Sequence, residues 1–145
     1  LYHIDLNDQY PGRYDQDLRF GSVSPKQSFW LVKFLEDVGY SGMRHFDAHA
    51  YRTEDYDGVK DFARGCMKTY LVFKEKAKQW NAHPEIQAIL AEIEETNKAF
   101  ELGKFSSEGS AKLLSTEFDR KALASKVIKT ATIDHFTIDV FVTAI

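Results

Sequence analysis

Apolar residues recur along this chain mostly at helical spacing. Ser24-Pro25 supplies an N-cap residue followed by proline at the first helical position. Leu31, Phe34, Leu35 and Val38 then follow at i, i+3, i+4 and i+7, which predicts a helix with that stripe buried. Gly39 and Gly42 close it. Thr53, ahead of Glu54 and Asp55, opens the longest expected helix, and acidic residues there complement the helix dipole. Its expected buried stripe is Val59, Phe62, Ala63, Cys66, Met67, Tyr70 and Leu71, with an end near Trp80. From Pro84, Ile86, Ile89, Leu90, Ile93 and Phe100 line one side of a further helix that Gly103 ends. Residues 104–129, with Gly109 and the pair Leu113-Leu114, read as a loose helical arm. The last segment is open between two forms. Ile133, Phe136, Val140, Phe141 and Ala144 fit a helix, whereas Phe136, Ile138, Val140 and Val142 fit a strand, which β-branching favours.

Alternation occurs in two short places. Residues 1–5 read as a strand, followed by a turn at Pro11-Gly12 and a loop rich in Asp and Arg. Residues 43–46 read as a second strand that ends at Asp47. His3-Ile4-Asp5 and His45-Phe46-Asp47 repeat one pattern, with a helix between them. That is one βα unit and the start of the next in a parallel sheet. Alternation puts His3 on the side of Asp5, and His45 on the side of Asp47. The chain opens at Leu1, inside an alternating segment and without Met, so a preceding portion is expected.

Composition narrows the function classes. The chain is 43% hydrophobic and 28% charged, which fits a folded domain and not a disordered segment. A net charge of -3 with scattered basic residues argues against nucleic-acid or anionic-membrane partners. A single cysteine, Cys66, builds no disulfide framework, so a reducing, cytoplasmic setting is expected. Cys66 lies on a helix stripe and reads as a small core hydrophobe. There is no apolar run long enough for a membrane span. Neither a Gly-rich phosphate loop, a CxxC pair nor a nucleophile elbow is present, and His83 and His135 stand alone.

Carboxylates at the ends of parallel strands are costly unless compensated, and a divalent cation is the usual remedy. Asp5 and Asp47 hold such positions, and Asp15-Gln16-Asp17 adds two carboxylates in the loop after the first strand. Four oxygen donors without a cysteine cluster suit Mg²⁺ or Mn²⁺, or Co²⁺. Spacing alone leaves a second possibility open: Asp5 and Asp47 cap turns, while Asp15 and Asp17 pair with Arg13 and Arg19. His3 and His45 read as satisfied interior histidines in preference to ligands.

Several of these stretches resemble the xylose isomerase family, also called glucose isomerase. They are His-Ile-Asp-Leu-Asn-Asp-Gln at 3–9, Asp-Gln-Asp-Leu-Arg-Phe-Gly-Ser at 15–22, Arg-His-Phe-Asp at 44–47, Arg-Thr-Glu-Asp at 52–55 and Gly-Cys-Met-Lys-Thr-Tyr-Leu at 65–71. The resemblance runs from Leu1 to about residue 88 and fades beyond about 95. It returns at residues 133–145, which are similar to the family's closing helix and tip that segment toward helix. The resemblance implies an α/β parent fold. Residues 1–82 are then the last two βα units of a (β/α)₈ TIM barrel, and residues 83–145 a helical oligomerisation arm, so the chain itself is mostly helical. It implies a C-terminal part of an enzyme that interconverts an aldose and its ketose, D-xylose and D-xylulose or D-glucose and D-fructose, by a metal-assisted hydride shift.

On the same resemblance two divalent ions, Mg²⁺, Mn²⁺ or Co²⁺, are the cofactors. Asp5 and Asp47 match ligands of the first ion, and Asp15 and Asp17 ligands of the second. Asp17 also matches the catalytic carboxylate that helps a bound water exchange a proton with the sugar. The family's remaining ligands come from earlier strands that this sequence does not contain. The expected partners are therefore an aldose, the missing N-terminal barrel portion and further copies of the chain. The alternative is a non-catalytic metal-binding or oligomerisation fragment, inactive without those strands.

Overall fold

The computed structural model describes residues 2–98, 106–117, 119, 121 and 132–140. They form two short parallel strands and five helices: β1 (His3–Asp5), α1 (Pro25–Asp37), β2 (Met43–His45), α2 (Tyr56–Ala82), α3 (Pro84–Lys98), α4 (Ser107–Ser115) and α5 (residues 132–140). The chain divides into two compact units, Leu1–Lys78 and Gln79–Ala144.

Helix α1 starts where Ser24-Pro25 puts it, but the Ser24 side chain does not cap it. Asp8, from another part of the chain, holds the two residues that lead into it. Its Oδ2 accepts the backbone N–H groups of Val23 (2.8 Å) and Ser24 (2.9 Å). The buried side of α1 also differs from the expected stripe. Phe29, Val32 and Leu35 are buried, whereas Phe34 and Val38 are 61% and 59% exposed. Apolar residues almost encircle this helix, so two stripes compete. The one chosen carries Phe29, whose ring meets Phe73 edge-on at 6.2 Å. The helix ends in a Schellman turn: Gly39 at φ 63°, with Gly39 N–H donating to Glu36 O and Tyr40 N–H to Leu35 O.

Helix α2 begins later than Thr53. Asp55 caps it, its Oδ1 accepting the N–H of Gly58 at 2.8 Å. Its buried line is Cys66, Tyr70, Phe73 and Ala77, while Val59, Ala63, Met67 and Leu71 are exposed. The expected stripe was thus too wide, because only one row of α2 meets the interior. Cys66 is fully buried, as a core hydrophobe should be. Phe20 packs edge-on to Phe73 at 6.4 Å, and Leu6, Phe20, Phe29 and Val32 complete the core of the first unit. Each such side chain contributes about 1.5–3 kcal/mol on burial.

A polar network links α1, β2 and α2. Arg44, on β2, donates through Nε to Tyr70 Oη (2.5 Å) and through Nη2 to Tyr40 O (2.7 Å). Tyr70 Oη donates to Glu36 Oε1 at 2.7 Å, and Lys74 Nζ lies 2.7 Å from Glu36 Oε2. Burial pushes the Glu36 carboxyl up. The hydrogen bonds from Lys74 and Tyr70, with the charges of Lys74 and Arg44, outweigh it and hold the group below its ordinary value. Burial, with the hydrogen bond to Glu36, pushes the Tyr70 phenol up to about 12. This network is not visible in the residue pattern, since Tyr70 sits on an apolar stripe.

In the second unit, α3 buries Ile86 and half-buries Ile89, Leu90 and Ile93, while Phe100 and Gly103 lie outside the described residues. Ser106 caps α4, its Oγ accepting the N–H of Gly109 at 3.0 Å. Residues 132–140 are helical, which resolves the open choice in favour of helix; residues 141–145 lie outside the described residues. Thr137 on α5 accepts Trp80 Nε1–H at 3.0 Å and donates to Ile133 O. Among the described residues no helix is long and apolar enough to cross a membrane.

Candidate metal centre

Strands β1 and β2 pair in parallel, with His3 beside Met43, Ile4 beside Arg44 and Asp5 beside His45. The N–H of Leu6 continues the ladder to His45 O at 2.9 Å. Period-two alternation sends Ile4 and Arg44 to one face of the sheet, where Arg44 joins the α1 and α2 side chains. It sends His3, Asp5 and His45 to the other. These three were expected to differ, with Asp5 a ligand and the histidines interior. Instead both histidine side chains are about half exposed, at 55% and 53%. Arg44, on the opposite face, joins the helices, and His3, Asp5 and His45 are left open.

The three side chains converge. His3 Nε2 lies 3.5 Å from Asp5 Oδ2, and His45 Nδ1 lies 3.6 Å from Asp5 Oδ1. The two imidazoles stack at 5.3 Å between centroids, 24° from parallel. One donor atom from each residue falls within 4.8 Å of the other two. Among the described residues this is the one such group of three or more, and Asp15, Asp17 and Asp47 lie outside it.

Asp15 and Asp17 share an unusual backbone. Both are left-handed, at φ 50° and φ 49°, a region uncommon for non-glycine residues, which Asp enters more readily than most and which persists where the surroundings hold it. Those surroundings are visible. Asp8 and Leu18 exchange backbone hydrogen bonds at 3.0 Å in both directions, pinning the two ends of the loop together. Gln16 Oε1 accepts the N–H of Tyr10 at 2.9 Å. Asp17 Oδ1 accepts from Asn7 Nδ2 at 3.0 Å, while its Oδ2 lies 3.8 Å from His49 Nε2. The carbonyl of Asp17 accepts the N–H of His49 at 3.1 Å, which ties the loop after β1 to the loop after β2. Asp15 and Asp47 are exposed, and neither has a hydrogen bond or ion pair among the described residues. The pairing of Asp15 and Asp17 with Arg13 and Arg19 does not form.

Asp8, Asn7 and His49 are the organising residues that sequence reasoning passed over. Asp8 is buried, and its carboxylate accepts three backbone N–H groups, those of Gln9, Val23 and Ser24. Only the polarity of residues 7–9 hinted at this. A cleft of about 410 Å³ opens beside the loop, lined by Tyr10, Gln16, Arg19, His49, Tyr51 and Glu54 among others, and none of the four aspartates borders it.

The donors offered are carboxylate oxygens, with two imidazoles close to one of them. Oxygen donors suit a hard dication. Asp15 and Asp47, exposed and unpaired, and Asp17, with one oxygen still open to solvent-side partners, fit such an ion.

No family model matches the chain. It is 60% identical over 91 residues to the xylose isomerase of Thermus thermophilus, a match that takes in 63% of the chain and 24% of that relative. To the xylose isomerase of Thermus caldophilus it is 59% identical over 91 residues. To that of Streptomyces lividans it is 41% identical over 145 residues, or 96% of the chain and 36% of the relative. The Streptomyces match carries the similarity past residue 95, where the motifs alone lose it. The chain spans between 24% and 36% of the length of these curated relatives.

Proposed function

From the premise that this chain resembles a part of the xylose isomerase family, we propose that it supplies four metal-binding carboxylates to a divalent-metal-dependent aldose–ketose isomerase of TIM-barrel fold. The observation that carries this is the loop after β1, with two left-handed aspartates locked by Asn7, Gln16 and the Asp8–Leu18 bridge. Backbone strain of this kind persists where it serves a site.

Asp5 and Asp47 would hold one ion and Asp15 and Asp17 another. Mg²⁺, Mn²⁺ or Co²⁺ bound there would act as a Lewis acid on the sugar oxygens. Asp17 is the proton carrier of the set. Asn7 occupies its Oδ1, which leaves Oδ2 as the atom that takes a proton from water and returns it. The His49 ring lies 3.8 Å from that atom. The substrate class is an aldose such as D-xylose or D-glucose. Residues 1–82 are the barrel part and residues 83–145 an arm for association between copies. The setting is cytoplasmic, where a lone thiol such as Cys66 stays reduced.

The test is a chimera in which this sequence replaces the matched segment of the Thermus thermophilus enzyme. The chimera should convert D-xylose to D-xylulose with Mg²⁺ or Mn²⁺. Asp17→Asn and Asp47→Asn should each lower kcat/KM by at least about 100-fold, the scale of losing a charge-stabilising or proton-transfer group. A folded chimera with no turnover, or full activity in both variants, would refute the assignment. The 145-residue chain alone holds part of the ligand set and should bind Mn²⁺ without turnover; xylose isomerisation by the chain alone would show that it needs no further strands.

A further inference from the structure

We propose that Asp8 is a positioning residue for the ion assigned to Asp15 and Asp17: its buried carboxylate presets, through the backbone, the loop that presents those two donors. This rests on the isomerase reading and adds to it a residue that belongs to neither ligand pair. Asp8 is 8% exposed within this chain, so its place does not depend on further strands. Its Oδ1 accepts the N–H of Gln9 at 2.9 Å, and its Oδ2 those of Val23 at 2.8 Å and Ser24 at 2.9 Å. One side chain thus joins the start of the loop to the entry of α1. The backbone of the same residue exchanges two 3.0 Å hydrogen bonds with Leu18, which closes the loop next to Asp17. Leu6 and Phe20 stand just outside this bridge at either end, and at 1% exposure each they anchor both ends in the core.

Asp15 and Asp17 occupy a left-handed region that few non-glycine residues hold without support. Within the loop, the Tyr10 N–H donates to Gln16 Oε1 and Asn7 Nδ2 donates to Asp17 Oδ1. Asn7 is the neighbour of Asp8, so the contact that aims the Asp17 carboxylate starts one residue from the clamp. Without the clamp, an arriving ion would itself have to impose these conformations, and that ordering would weaken its binding. Asp5 is held by other means. Strand β1 pairs with β2, and the Leu6 N–H bonds to His45 O at 2.9 Å. Asp8 therefore bears on one ion of the pair and not on the other. Three backbone N–H groups on one carboxylate form charge-assisted bonds, which an amide in its place cannot fully reproduce.

The experiment uses the chimera described above, freed of metal and titrated with Mn²⁺ in a calorimeter. Two binding steps are expected, and Asp17→Asn and Asp47→Asn show which step belongs to which pair. Asp8→Asn should weaken the Asp17 step by at least about tenfold, as loss of an outer partner of a metal ligand does, and Asp8→Ala should weaken it more. Both should leave the Asp47 step as in the wild type. Saturating Mn²⁺ should restore kcat in both Asp8 variants, whose donors are intact, and not in Asp17→Asn. Val32→Ala truncates a fully buried side chain of α1; it controls for stability alone and should leave both steps unchanged. A wild-type Asp17 step in Asp8→Ala overturns the inference, as does equal weakening by Val32→Ala. Equal weakening by Asp8→Asn and Asp8→Ala also overturns it, since that marks a loss of charge and not of position. If Asp8→Ala does not fold, a wild-type Asp17 step in Asp8→Asn overturns it as well. A chimera with no Mn²⁺ sites and no turnover sinks the isomerase reading and this inference together. A chimera that turns over, with both steps unchanged in the Asp8 variants, sinks this inference alone.

Discussion

Asp8 is where the loop can be taken apart with least disturbance to the donors themselves. Its carboxylate accepts from Gln9 N (2.9 Å), Val23 N (2.8 Å) and Ser24 N (2.9 Å), and so holds the chain that leads into α1. Asp8→Ala removes both acceptor oxygens, and with them three hydrogen bonds, at a buried position. Hydrogen bonds to a charged group are worth about 1.5–3 kcal/mol each. Water can reach part of the vacated space, so the three do not add fully, and the expected loss is about 2–4 kcal/mol. Asp8→Asn keeps one oxygen but turns an N–H₂ group toward a backbone donor, for about 1–2 kcal/mol. Urea unfolding followed by far-UV circular dichroism measures both. With a slope of about 1–3 kcal/mol per molar urea, the Ala variant should move the midpoint by roughly 1 M or more. Amide exchange at Asp8 and Leu18 should rise in parallel, because the bridge that imposes the strain on Asp15 and Asp17 loses its anchor. A change within about 0.5 kcal/mol, the range of an ordinary surface substitution, would refute the reasoning.

Other expectations follow from particular contacts. Gly21 sits at φ 77°, and an added Cβ would lie 2.6 Å from Thr69 Cγ2 and 3.2 Å from Phe73 Cε2. Gly21→Ala should therefore cost about 1–3 kcal/mol in thermal or urea unfolding, from overpacking and positive φ together. Gly39→Ala, at φ 63° with open space around it, should cost about 1 kcal/mol; equal losses would mean that packing of α2 on Gly21 is unimportant. The Tyr70 phenol has a folded pKa above its ordinary 10, so its contribution is complete below pH 10 and is lost as pH rises toward about 12. Glu36 is lowered from 4.5, so its contribution is present above that value and is lost as pH falls through the lower folded value. Stability against pH for the wild type, Tyr70→Phe and Glu36→Gln should show the alkaline fall flattened in the first variant and the acid fall in the second. Unchanged curves would remove the network from the account of stability.

Much of the fold was legible because each helix carries its own signals. Pro25, Pro84 and Gly39 mark ends by backbone chemistry alone, and the echo of His3-Ile4-Asp5 in His45-Phe46-Asp47 marks two parallel strands. Faces were harder. On α1 the apolar residues admit two stripes, and only the position of Phe73 on α2, distant in sequence, selects Phe29 and Val32 over Phe34 and Val38. The start of α2 was misread because Thr53 and Asp55 are both good caps, and the hydrogen bond to Gly58 decides between them. The site was legible as residue types and strand ends. It was not legible as contacts, since Asn7, His49 and Asp8 act through pairings that cross the loop or link separate loops. The two histidines are about half exposed in this chain, since alternation assigns a side but does not supply what covers it.

The candidate centre is thus held in two different ways, and the difference bears on its chemistry. Asp5 stands on a strand whose backbone is paired with β2, beside two imidazoles. Asp15 and Asp17 stand on a loop whose left-handed residues are kept in place by side-chain hydrogen bonds and one two-way bridge. Paired backbone opens only with the sheet, whereas a strained loop relaxes once a few hydrogen bonds break. Amide exchange should therefore be faster for residues 13–17 than for Leu6 and Met43, whose N–H groups bond across the strand pair. A donor set with one fixed carboxylate and two on a yielding loop can keep one ligand in position while the others adjust to a changing charge. Equal protection of the loop and strand amides would remove that asymmetry.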